Sequence, residues 1–301
     1  MTAAVFALAE TRAEAEALAA ALDVPVFGLD LHRFPDGEIK LTLGGSAEVA
    51  LVHLPLDRPN DKLVTLALTV EALRRNGARR IVLVAPYLCY MRQDVAFTPL
   101  EAVSQKAIGR LVAGLVDRVV TVDAHLHRTR DIGLVFPGIE AENLAAMPAV
   151  AAALTGDHLD PATVIVGPDV ESEPLVAALA SSLGLTHAVG RKTRHGDRAV
   201  EIAFADPPAL AGRPALVIDD VVSSGGTLVT VAEALRAAGA TRIDAVVTHA
   251  LYPAEAAERF AAAGIRSIRS TTSVPHPTNA VSLVPLLAEA LRAEVGEEAT
   301  S

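Results

Sequence analysis

Short runs of β-branched and other apolar residues alternate with longer stretches of helical period along most of the chain. The strand candidates are AAVFAL at 3–8, RIVLVAPY at 80–87, RVVTVDAH at 118–125, TVIVGPD at 163–169, PALVIDD at 214–220 and RIDAVVTHA at 242–250. The helix candidates lie near residues 60–76, 101–116, 171–183, 227–238 and 253–263. This alternation predicts an α/β fold in which a mainly parallel sheet is flanked by helices.

An internal repeat indicates that the α/β unit occurs twice. Residues 71–81 read EALRRNGARRI and residues 233–243 read EALRAAGATRI, with identity at eight of eleven positions and an offset of 162 residues. Each copy is typical of a helix, a glycine stop and the start of a strand. The chain is therefore predicted to form two domains, 1–146 and 147–301, and residues 281–301 are expected to pack back on the first domain.

Composition and charge exclude several functional classes. A net charge of −10 disfavours nucleic acid as a partner, because binding to phosphate backbones needs a basic surface. No apolar run reaches the roughly 18 residues that a membrane-spanning helix needs, so no membrane association is expected. The first 22 residues have no basic n-region, and we interpret them as a strand and a helix rather than a signal peptide. The single cysteine, Cys89, indicates a reducing, cytoplasmic location.

The stretch VIDDVVSSGGTL at 217–228 is the strongest candidate for a ligand site. In open α/β sheets, ligands lie beyond the carboxyl ends of the strands, where this segment would end its strand with two acids. Glycine pairs allow close backbone approach, and free N–H groups at a helix N-terminus bind phosphate. The paired acids could hold the hydroxyls of a phosphorylated sugar. The candidate binding residues are Asp219, Asp220, Ser223, Ser224, Gly225, Gly226 and Thr227.

Three other interpretations of this stretch fit its residues less well. It is neither a Walker A loop, since no Gly-Lys-Ser/Thr follows, nor a dinucleotide fingerprint, since no third glycine is correctly spaced. A plain strand-to-helix turn with a Thr cap would leave the two acids unexplained, and buried acids are costly without partners.

Shifted back by 162 residues, Asp219 falls on Asp57 and Thr227 on Thr65, and the first copy lacks both the second acid and the glycine pair.

DDVVSSGGT resembles the phosphoribosyl-diphosphate motif of the phosphoribosyltransferase fold. The whole chain is similar to one branch of that fold, the ribose-phosphate diphosphokinases (phosphoribosyl-diphosphate synthetases). The similarity rests on FPDGEIKLTL, APYLCYMRQDVAFTPLEAVSQKAIGRLV, VDAHLHR, NLAAMPAV, VGPDVESEPLVAALA, RKTRHGDRAVEI and VSLVPLLAEAL, in the family's order. The resemblance implies two phosphoribosyltransferase-like domains, of which only the second retains the loop.

The resemblance also implies the reaction. The C1 hydroxyl of ribose 5-phosphate would attack the β-phosphorus of ATP, and AMP would leave. Catalysis would then need Mg²⁺ and fixed cations. Lys192 and Arg194 match the family's catalytic loop, which the glycine and polar residues around them mark as a mobile lid. Without the resemblance, this basic segment would be interpreted as an exposed connection. By similarity, His125 and Asp169 help to hold Mg²⁺.

The resemblance assigns ATP binding first to an RQD segment. Arg92, Gln93 and Asp94 match it, and the Arg of this segment binds ATP phosphates in the family.

The chain departs from the family pattern at several positions. Val95 follows where the family usually has a basic residue, and Glu171 stands where bacterial members commonly carry glycine. The SSGGT loop and the KTR spacing resemble archaeal members. Together these departures indicate a divergent branch.

A second segment, FPDGE, matches the family's adenine-contacting FxDGE sequence. Phe34 would stack on the base, and Asp36 and Glu38 would accept hydrogen bonds from base N–H groups. In the family this segment comes from a neighbouring subunit, which implies a homodimer or a higher homo-oligomer. Taken alone, Pro-Asp-Gly predicts a hairpin turn, and both interpretations can hold together.

Two alternative functions are also compatible with parts of the sequence. One is a phosphoribosyltransferase that consumes phosphoribosyl diphosphate and needs no ATP, which the loop alone fits equally well. The other is a catalytically silent relative that regulates an active synthetase. The ATP-like segments argue against the first alternative, and the presence of Lys192 and Arg194 argues against the second.

Overall fold

The computed structural model describes residues 2–126, 128–129, 131–156, 159–195, 199–204 and 209–296, without the side chains of 192–195 and 199–201. These residues form two compact units. One unit comprises the chain up to Ala145, Thr272–Pro275 and the segment that begins at Leu283. The other comprises Ala146–Thr271 and His276–Ser282. Because the units interleave near the C-terminus, the simple limits 1–146 and 147–301 stay a prediction.

The first unit is built on a seven-stranded sheet. Its strands are β1 (Ala3–Ala7), β2 (Val26–Arg33), β3 (Ile39–Leu43), β4 (Val49–His53), β5 (Arg80–Ala85), β6 (Arg118–Val122) and β7 (Glu140–Leu144), and its first helices are α1 (Arg12–Leu22), α2 (Pro59–Arg75) and α3 (Ser104–Ala113). The strand order is β3-β2-β1-β4-β5-β6-β7, and all pairs are parallel except β2 with β3. The central strand β4 is buried along its whole length, as expected for a strand covered on both faces.

The second unit repeats this topology. Its strands are β8 (Val164–Gly167), β9 (Thr186–His195), β10 (Ala199–Phe204), β11 (Pro214–Val222), β12 (Arg242–Ala250), β13 (Ile265–Thr271) and β14 (Asn279–Val281), and its helices are α4 (Met147–Gly156), α5 (Glu173–Leu183), α6 (Gly226–Ala237) and α7 (Ala256–Ala263). The strand order β10-β9-β8-β11-β12-β13-β14 is the first order advanced by seven strands. The predicted fold class, two mainly parallel sheets flanked by helices, is confirmed.

The sheet registers correct the alignment of the two copies. Val49 pairs with Arg80 between β4 and β5, whereas Pro214 pairs with Arg242 between β11 and β12. The repeat aligns Arg80 with Arg242. Their pairing partners, Val49 and Pro214, are separated by three residues more than the repeat offset, so β4 and β11 do not align at that offset. The placement of Asp219 over Asp57 is therefore wrong, because α2 begins earlier than α6 and absorbs the difference. In the strand register, the first-copy residue that corresponds to Asp219 is Leu54, a fully buried apolar residue.

The last helix, α8 (Val284–Val295), packs on α1 within the first unit. Its Glu294 carboxylate accepts hydrogen bonds from Arg80 at 2.6 and 2.8 Å and from Arg118 at 2.9 Å. Burial alone would raise the pKa of Glu294, but the hydrogen bonds and charges of the two arginines lower it below its ordinary value. The amino ends of β5 and β6 are thereby tied to the C-terminal helix.

Within the described part of the chain, we find no helix that combines the length and the apolar character needed to cross a membrane.

Replacing Glu294 with alanine should destabilise the protein by about 2 kcal/mol, because Arg80 and Arg118 lose a shared carboxylate and keep only their contacts with Glu140 and Glu142 as ion pairs. The loss should shrink as the pH falls through the lowered pKa of Glu294, where the wild-type carboxylate is itself neutralised. Chemical denaturation across this pH range measures the effect. The control is Glu289→Ala, an exposed glutamate on the same helix, which should change stability by less than about 0.5 kcal/mol. Equal effects of the two variants would contradict the role of the ion network.

Candidate active site

The two acids of the candidate loop lie near the end of β11 and are partly buried. Asp219 accepts a hydrogen bond from the backbone N–H of Asp220 at 3.0 Å, and Asp220 accepts one from Val221 at 2.7 Å. Burial raises the pKa of Asp219 well above its ordinary value, and the charges of Asp220 and Asp169 raise it further. Three carboxylates therefore lie close enough at this edge of the sheet for the charges of two of them to act on the third.

The loop between β11 and α6 has a shape that only glycine permits at its centre. Gly225 has φ 77°, in the left-handed region, and precedes the first residue of α6. A Cβ atom at this position would lie 2.4 Å from the ring of Phe260, which is fully buried on α7. The first N–H groups of α6 have no acceptor within the helix and are available to an anion. The hydroxyls of Ser223 and Ser224 are on exposed residues beside them.

Helix α7 supports this loop, a role that the sequence alone did not indicate. Arg259 donates a hydrogen bond to the backbone carbonyl of Ser224, and Phe260 packs beneath Gly225. The sequence marked this region only as a helix candidate. No motif links an arginine and an aromatic residue some 35 positions away to a phosphate loop, so only the fold reveals the pair.

Asp169 lies beyond the end of β8, the neighbour of β11 in the sheet. Its carboxylate accepts a hydrogen bond from the backbone N–H of Glu171 at 3.2 Å, and its carbonyl accepts one from the Ser172 hydroxyl at 2.5 Å. Its charge contributes to the raised pKa of Asp219, so the two carboxylates act on one another. The sequence-based expectation that strand ends bring these acids to one edge agrees with this arrangement.

Lys192 and Arg194 lie on β9, in its antiparallel pairing with β10. Lys192 is opposite Ile202 and Arg194 opposite Val200. Pairing of β9 with β8 ends at Val189, so both residues belong to the part of the hairpin that extends past the sheet. Their side chains lie outside the described residues, and their catalytic role stays a prediction.

The FPDGE segment of the first unit forms the turn between β2 and β3. The Phe34 N–H donates to the Glu38 carbonyl at 2.8 Å, Gly37 has φ 94°, and Asp36 accepts from the Glu38 N–H at 3.1 Å. The predicted hairpin is confirmed. Phe34, with 40% of its surface exposed, stacks edge-on against His32 at a centroid distance of 4.7 Å. The three proposed adenine contacts are all solvent-facing at this turn.

In the RQD segment, only Arg92 is exposed. Gln93 donates to Glu101 at 2.9 Å and accepts from the Ser104 hydroxyl. Asp94 is buried and accepts from the backbone N–H of Arg128 at 3.1 Å and from its guanidinium at 2.9 Å. Gln93 and Asp94 therefore hold neighbouring loops together.

His125 follows β6 at the carboxyl edge of the first sheet, as predicted. The turn before it is set by Asp123, which has a left-handed φ of 39° and whose N–H donates to the Leu144 carbonyl at 2.9 Å. The N–H of Ala124 donates to the Asn143 side chain at 2.8 Å. Strand β7 thus fixes the position from which His125 projects.

The described residues contain no group of three or more His, Cys, Asp or Glu side chains arranged to ligate a metal ion. The raised pKa of Asp219 marks a place where a divalent cation would relieve repulsion between carboxylates.

Comparison with known families identifies both halves of the chain. Residues 3–115 match the family described as the N-terminal domain of ribose phosphate pyrophosphokinase. Residues 141–278 match the phosphoribosyl transferase domain. The chain belongs to the ribose-phosphate pyrophosphokinase family.

Curated family members align along almost the whole chain. Ribose-phosphate pyrophosphokinase from Methanopyrus kandleri is 35% identical over 278 residues, covering 91% of this chain and 93% of that protein. The enzyme from Agrobacterium fabrum is 34% identical over 313 residues, covering 99% and 98%. The resemblance stated from the sequence motifs is confirmed.

A solved structure of the family has the same fold. The crystal structure of phosphoribosylpyrophosphate synthetase from Mycobacterium smegmatis matches with a TM-score of 0.82 and 27% identity, covering 97% of this chain and 98% of that one. The match spans both units, so the family relationship does not rest on the phosphoribosyltransferase-like half alone.

Replacing Gly225 with alanine should weaken ribose 5-phosphate binding at least tenfold, because the new Cβ meets Phe260 and forces the loop to shift. Gly184→Ala is the matched control, since it has a similar φ of 67° but nothing within 4 Å of the added Cβ. Both variants should lose roughly 1 kcal/mol of stability from the left-handed backbone, but only Gly225→Ala should lose affinity. Calorimetric titration measures the affinity, and equal affinities of the two variants would contradict the steric account.

Replacing Asp219 with asparagine should stabilise the ligand-free protein near neutral pH by roughly 1–3 kcal/mol, because a carboxyl whose pKa is raised by folding opposes folding at that pH and a neutral amide does not. The gain should vanish at acidic pH, where Asp219 is protonated in the folded and the unfolded protein alike. It should grow as the pH rises above the ordinary carboxyl pKa and level off above the raised pKa of the folded protein. The same variant should bind ribose 5-phosphate more weakly. Thermal unfolding with and without ligand tests both effects, and Glu233→Gln on the exposed face of α6 is the control. A destabilised Asp219→Asn protein at neutral pH would contradict the charge argument.

Proposed function

We propose that the protein is a ribose-phosphate diphosphokinase, which transfers the β,γ-diphosphoryl group of ATP to the C1 hydroxyl of ribose 5-phosphate. The products are phosphoribosyl diphosphate and AMP. The observation that carries the proposal is the loop after β11, where two acids, exposed hydroxyls and a helix N-terminus follow one another on a single strand–helix connection. Family membership over both units supports the same activity.

The loop suits a phosphorylated sugar because its helix end offers hydrogen-bond donors and its strand end offers acceptors. The N–H groups at the start of α6, with Ser223, Ser224 and Thr227, would donate to the 5-phosphate. Asp219 and Asp220 would accept hydrogen bonds from the ribose hydroxyls, which also compensates for their burial. This division orients the sugar with its phosphate toward the helix and its C1 end toward the acids.

ATP binding is assigned to the first unit. Arg92, exposed and basic, would contact the phosphates, while the Gln93 and Asp94 contacts described above hold its loop in place. Phe34, Asp36 and Glu38 would contact adenine. Because their turn faces solvent in the single chain, they would serve a neighbouring subunit, which supports a homodimer or a higher homo-oligomer.

The transfer step needs positive charge around the phosphoryl oxygens. Lys192 and Arg194 would supply fixed cations that stabilise the transition state. Mg²⁺, when bound, would neutralise the phosphate oxygens, and His125 and Asp169 are the protein groups proposed to contribute to holding it. Since Cys89 is buried and is the single cysteine, a reducing cytoplasmic location is consistent with the chain.

A product assay distinguishes this activity from its alternatives. With Mg²⁺, ATP and ribose 5-phosphate, the protein should release AMP in step with phosphoribosyl diphosphate. Release of ADP would identify an ordinary kinase, and no turnover would favour a silent regulatory relative. Consumption of phosphoribosyl diphosphate with a free base and no ATP would identify a phosphoribosyltransferase.

The lid cations can be tested in the same assay. Lys192→Ala should lower turnover by a factor of about a hundred or more while ATP affinity changes little, because a transition-state interaction affects kcat more than binding. Arg191→Ala, which removes the neighbouring exposed cation, is the control and should retain most of its activity. Unchanged turnover in Lys192→Ala would remove this residue from the catalytic machinery.

A further inference from the structure

A row of three aromatic side chains leads away from the loop after β11 within the second unit. Phe260, on α7, packs beneath Gly225, and a Cβ atom added to that glycine would lie 2.4 Å from the phenyl ring. The ring of Tyr252 meets the ring of Phe260 edge-on, with the centroids 5.0 Å apart and 90° between the planes. The ring of His276 meets that of Tyr252 in a similar way, at 4.5 Å and 67°. Both contacts have the geometry that aromatic pairs prefer, so each ring restricts the orientation of the next.

Tyr252 lies at the carboxyl edge of the second sheet, as the second residue after β12, and is 5% exposed. The residue before it, Leu251, donates its backbone N–H to the carbonyl of Val222 at 2.8 Å. Val222 is the last residue of β11 and directly precedes Ser223. Tyr252 is therefore connected to the loop twice, at its strand end through the backbone and at its glycine through Phe260.

His276 contacts the backbone of Tyr252 as well as its ring. The His276 Nε2 atom lies 3.2 Å from the Tyr252 carbonyl oxygen, and because a carbonyl can only accept, Nε2 carries the proton. Nδ1 is then the acceptor, and it receives the Thr278 N–H at 3.3 Å and the Thr278 hydroxyl at 2.7 Å. Three hydrogen bonds thus set the tautomer and the orientation of the imidazole.

The turn that carries His276 is itself anchored to the sheet. The backbone N–H of His276 donates to the side-chain oxygen of Asn279 at 3.0 Å. The amide nitrogen of the same side chain donates to the Ser270 hydroxyl at 3.0 Å and to the Thr271 carbonyl at 2.6 Å, at the end of β13. Ser270 and Thr271 are fully buried. The row of rings therefore begins at a buried strand end and finishes beneath Gly225.

The first unit has a tyrosine at the same repeat position in a different environment. Because the repeat aligns the first residues of β5 and β12, Tyr252 corresponds to Tyr90. Tyr90 is only half-buried, has a left-handed φ of 61° and donates its hydroxyl to Asn60 at 2.5 Å. The corresponding strand–helix connection of the first unit lacks the glycine pair. The buried tyrosine ring thus occurs in the copy that has the loop.

We propose that Tyr252 and His276 are positioning residues for the binding of ribose 5-phosphate. His276 holds Tyr252, whose ring keeps Phe260 in place. Phe260 in turn supports Gly225, and the N–H groups at the start of α6 then face the 5-phosphate. The proposal rests on the proposed function, in which this loop binds the sugar phosphate. Both residues act on the affinity through the shape of the loop, without contact with the ligand.

Calorimetric titration with ribose 5-phosphate measures the effect. Tyr252→Leu, which removes the ring and stays apolar, should weaken the affinity roughly tenfold, because Phe260 loses its edge-on neighbour. His276→Ala should weaken it in the same direction. Tyr252→Phe keeps the ring and loses only a hydroxyl 3.5 Å from Thr278, so its affinity should stay within about twofold of the wild-type value. His187→Ala, at an exposed histidine of the same unit, is the control and should leave the affinity unchanged.

Two further measurements separate positioning from a general structural role. Titration with ATP should give the same affinity for all variants, because ATP binding is assigned to the first unit. The double variant Tyr252→Leu/His276→Ala should bind ribose 5-phosphate no more weakly than Tyr252→Leu, since His276 acts through Tyr252. Additive losses, equal losses for ATP and ribose 5-phosphate, or a lowered thermal stability with unchanged affinity would each overturn the proposal.

The wild-type protein keeps this test apart from the test of the reaction. If the wild type releases AMP and Tyr252→Leu binds ribose 5-phosphate normally, the positioning role is wrong and the proposed function stands. If the wild type binds ribose 5-phosphate but releases no AMP, the proposed reaction is wrong, and weaker binding by Tyr252→Leu still supports the positioning role. If the wild type does not bind ribose 5-phosphate, both proposals are wrong.

Discussion

The crowding of carboxylates at the carboxyl edge of the second sheet is the constraint on which the candidate active site depends. Asp169, Asp219 and Asp220 lie at the ends of neighbouring strands, and the charges of Asp169 and Asp220 add to the effect of burial in raising the pKa of Asp219. A sequence that served only the fold would place apolar or capping residues there. Hydrogen bonds from sugar hydroxyls and the charge of a divalent cation would stabilise these acids in their ionised form. Binding of a sugar phosphate together with a cation would therefore lower the electrostatic cost of placing them here.

The first unit contains the corresponding strand–helix connection without the paired acids and the glycine pair of the second unit. Leu54 stands where the second unit has Asp219, and α2 begins early enough to shorten the loop. The nearby charges are paired internally, with Lys62 at 2.5 Å from Asp57 and 2.8 Å from Glu10. His53 beside them is fully buried, and burial lowers its pKa to about 4. The acids at this edge of the first unit are thus paired with basic side chains of the same unit.

The sequence predicted the elements well because their patterns are local. Continuous apolar runs and the glycine stops located strands such as β12, and the Pro-Asp-Gly turn located the β2–β3 hairpin. The copy alignment failed because a single offset cannot represent a helix that begins earlier in one copy. The support of the loop by Arg259 and the tie from Glu294 to Arg80 were also missed. Both join residues that only tertiary packing brings together.

The β9–β10 hairpin carries Lys192 and Arg194, the predicted catalytic cations, outside the main sheet. The carboxyl edge supplies acids, yet the developing charge of a diphosphoryl group needs cations that do not pair permanently with those acids. Arg194 lies five residues past the last pairing with β8, about 17 Å of extended strand. The acids and the predicted catalytic cations therefore belong to different elements of the second unit, since Asp169 and Asp219 lie at the ends of sheet strands and Lys192 and Arg194 belong to the projecting hairpin. In the first copy, Lys62 and Asp57 form an ion pair on one strand–helix connection.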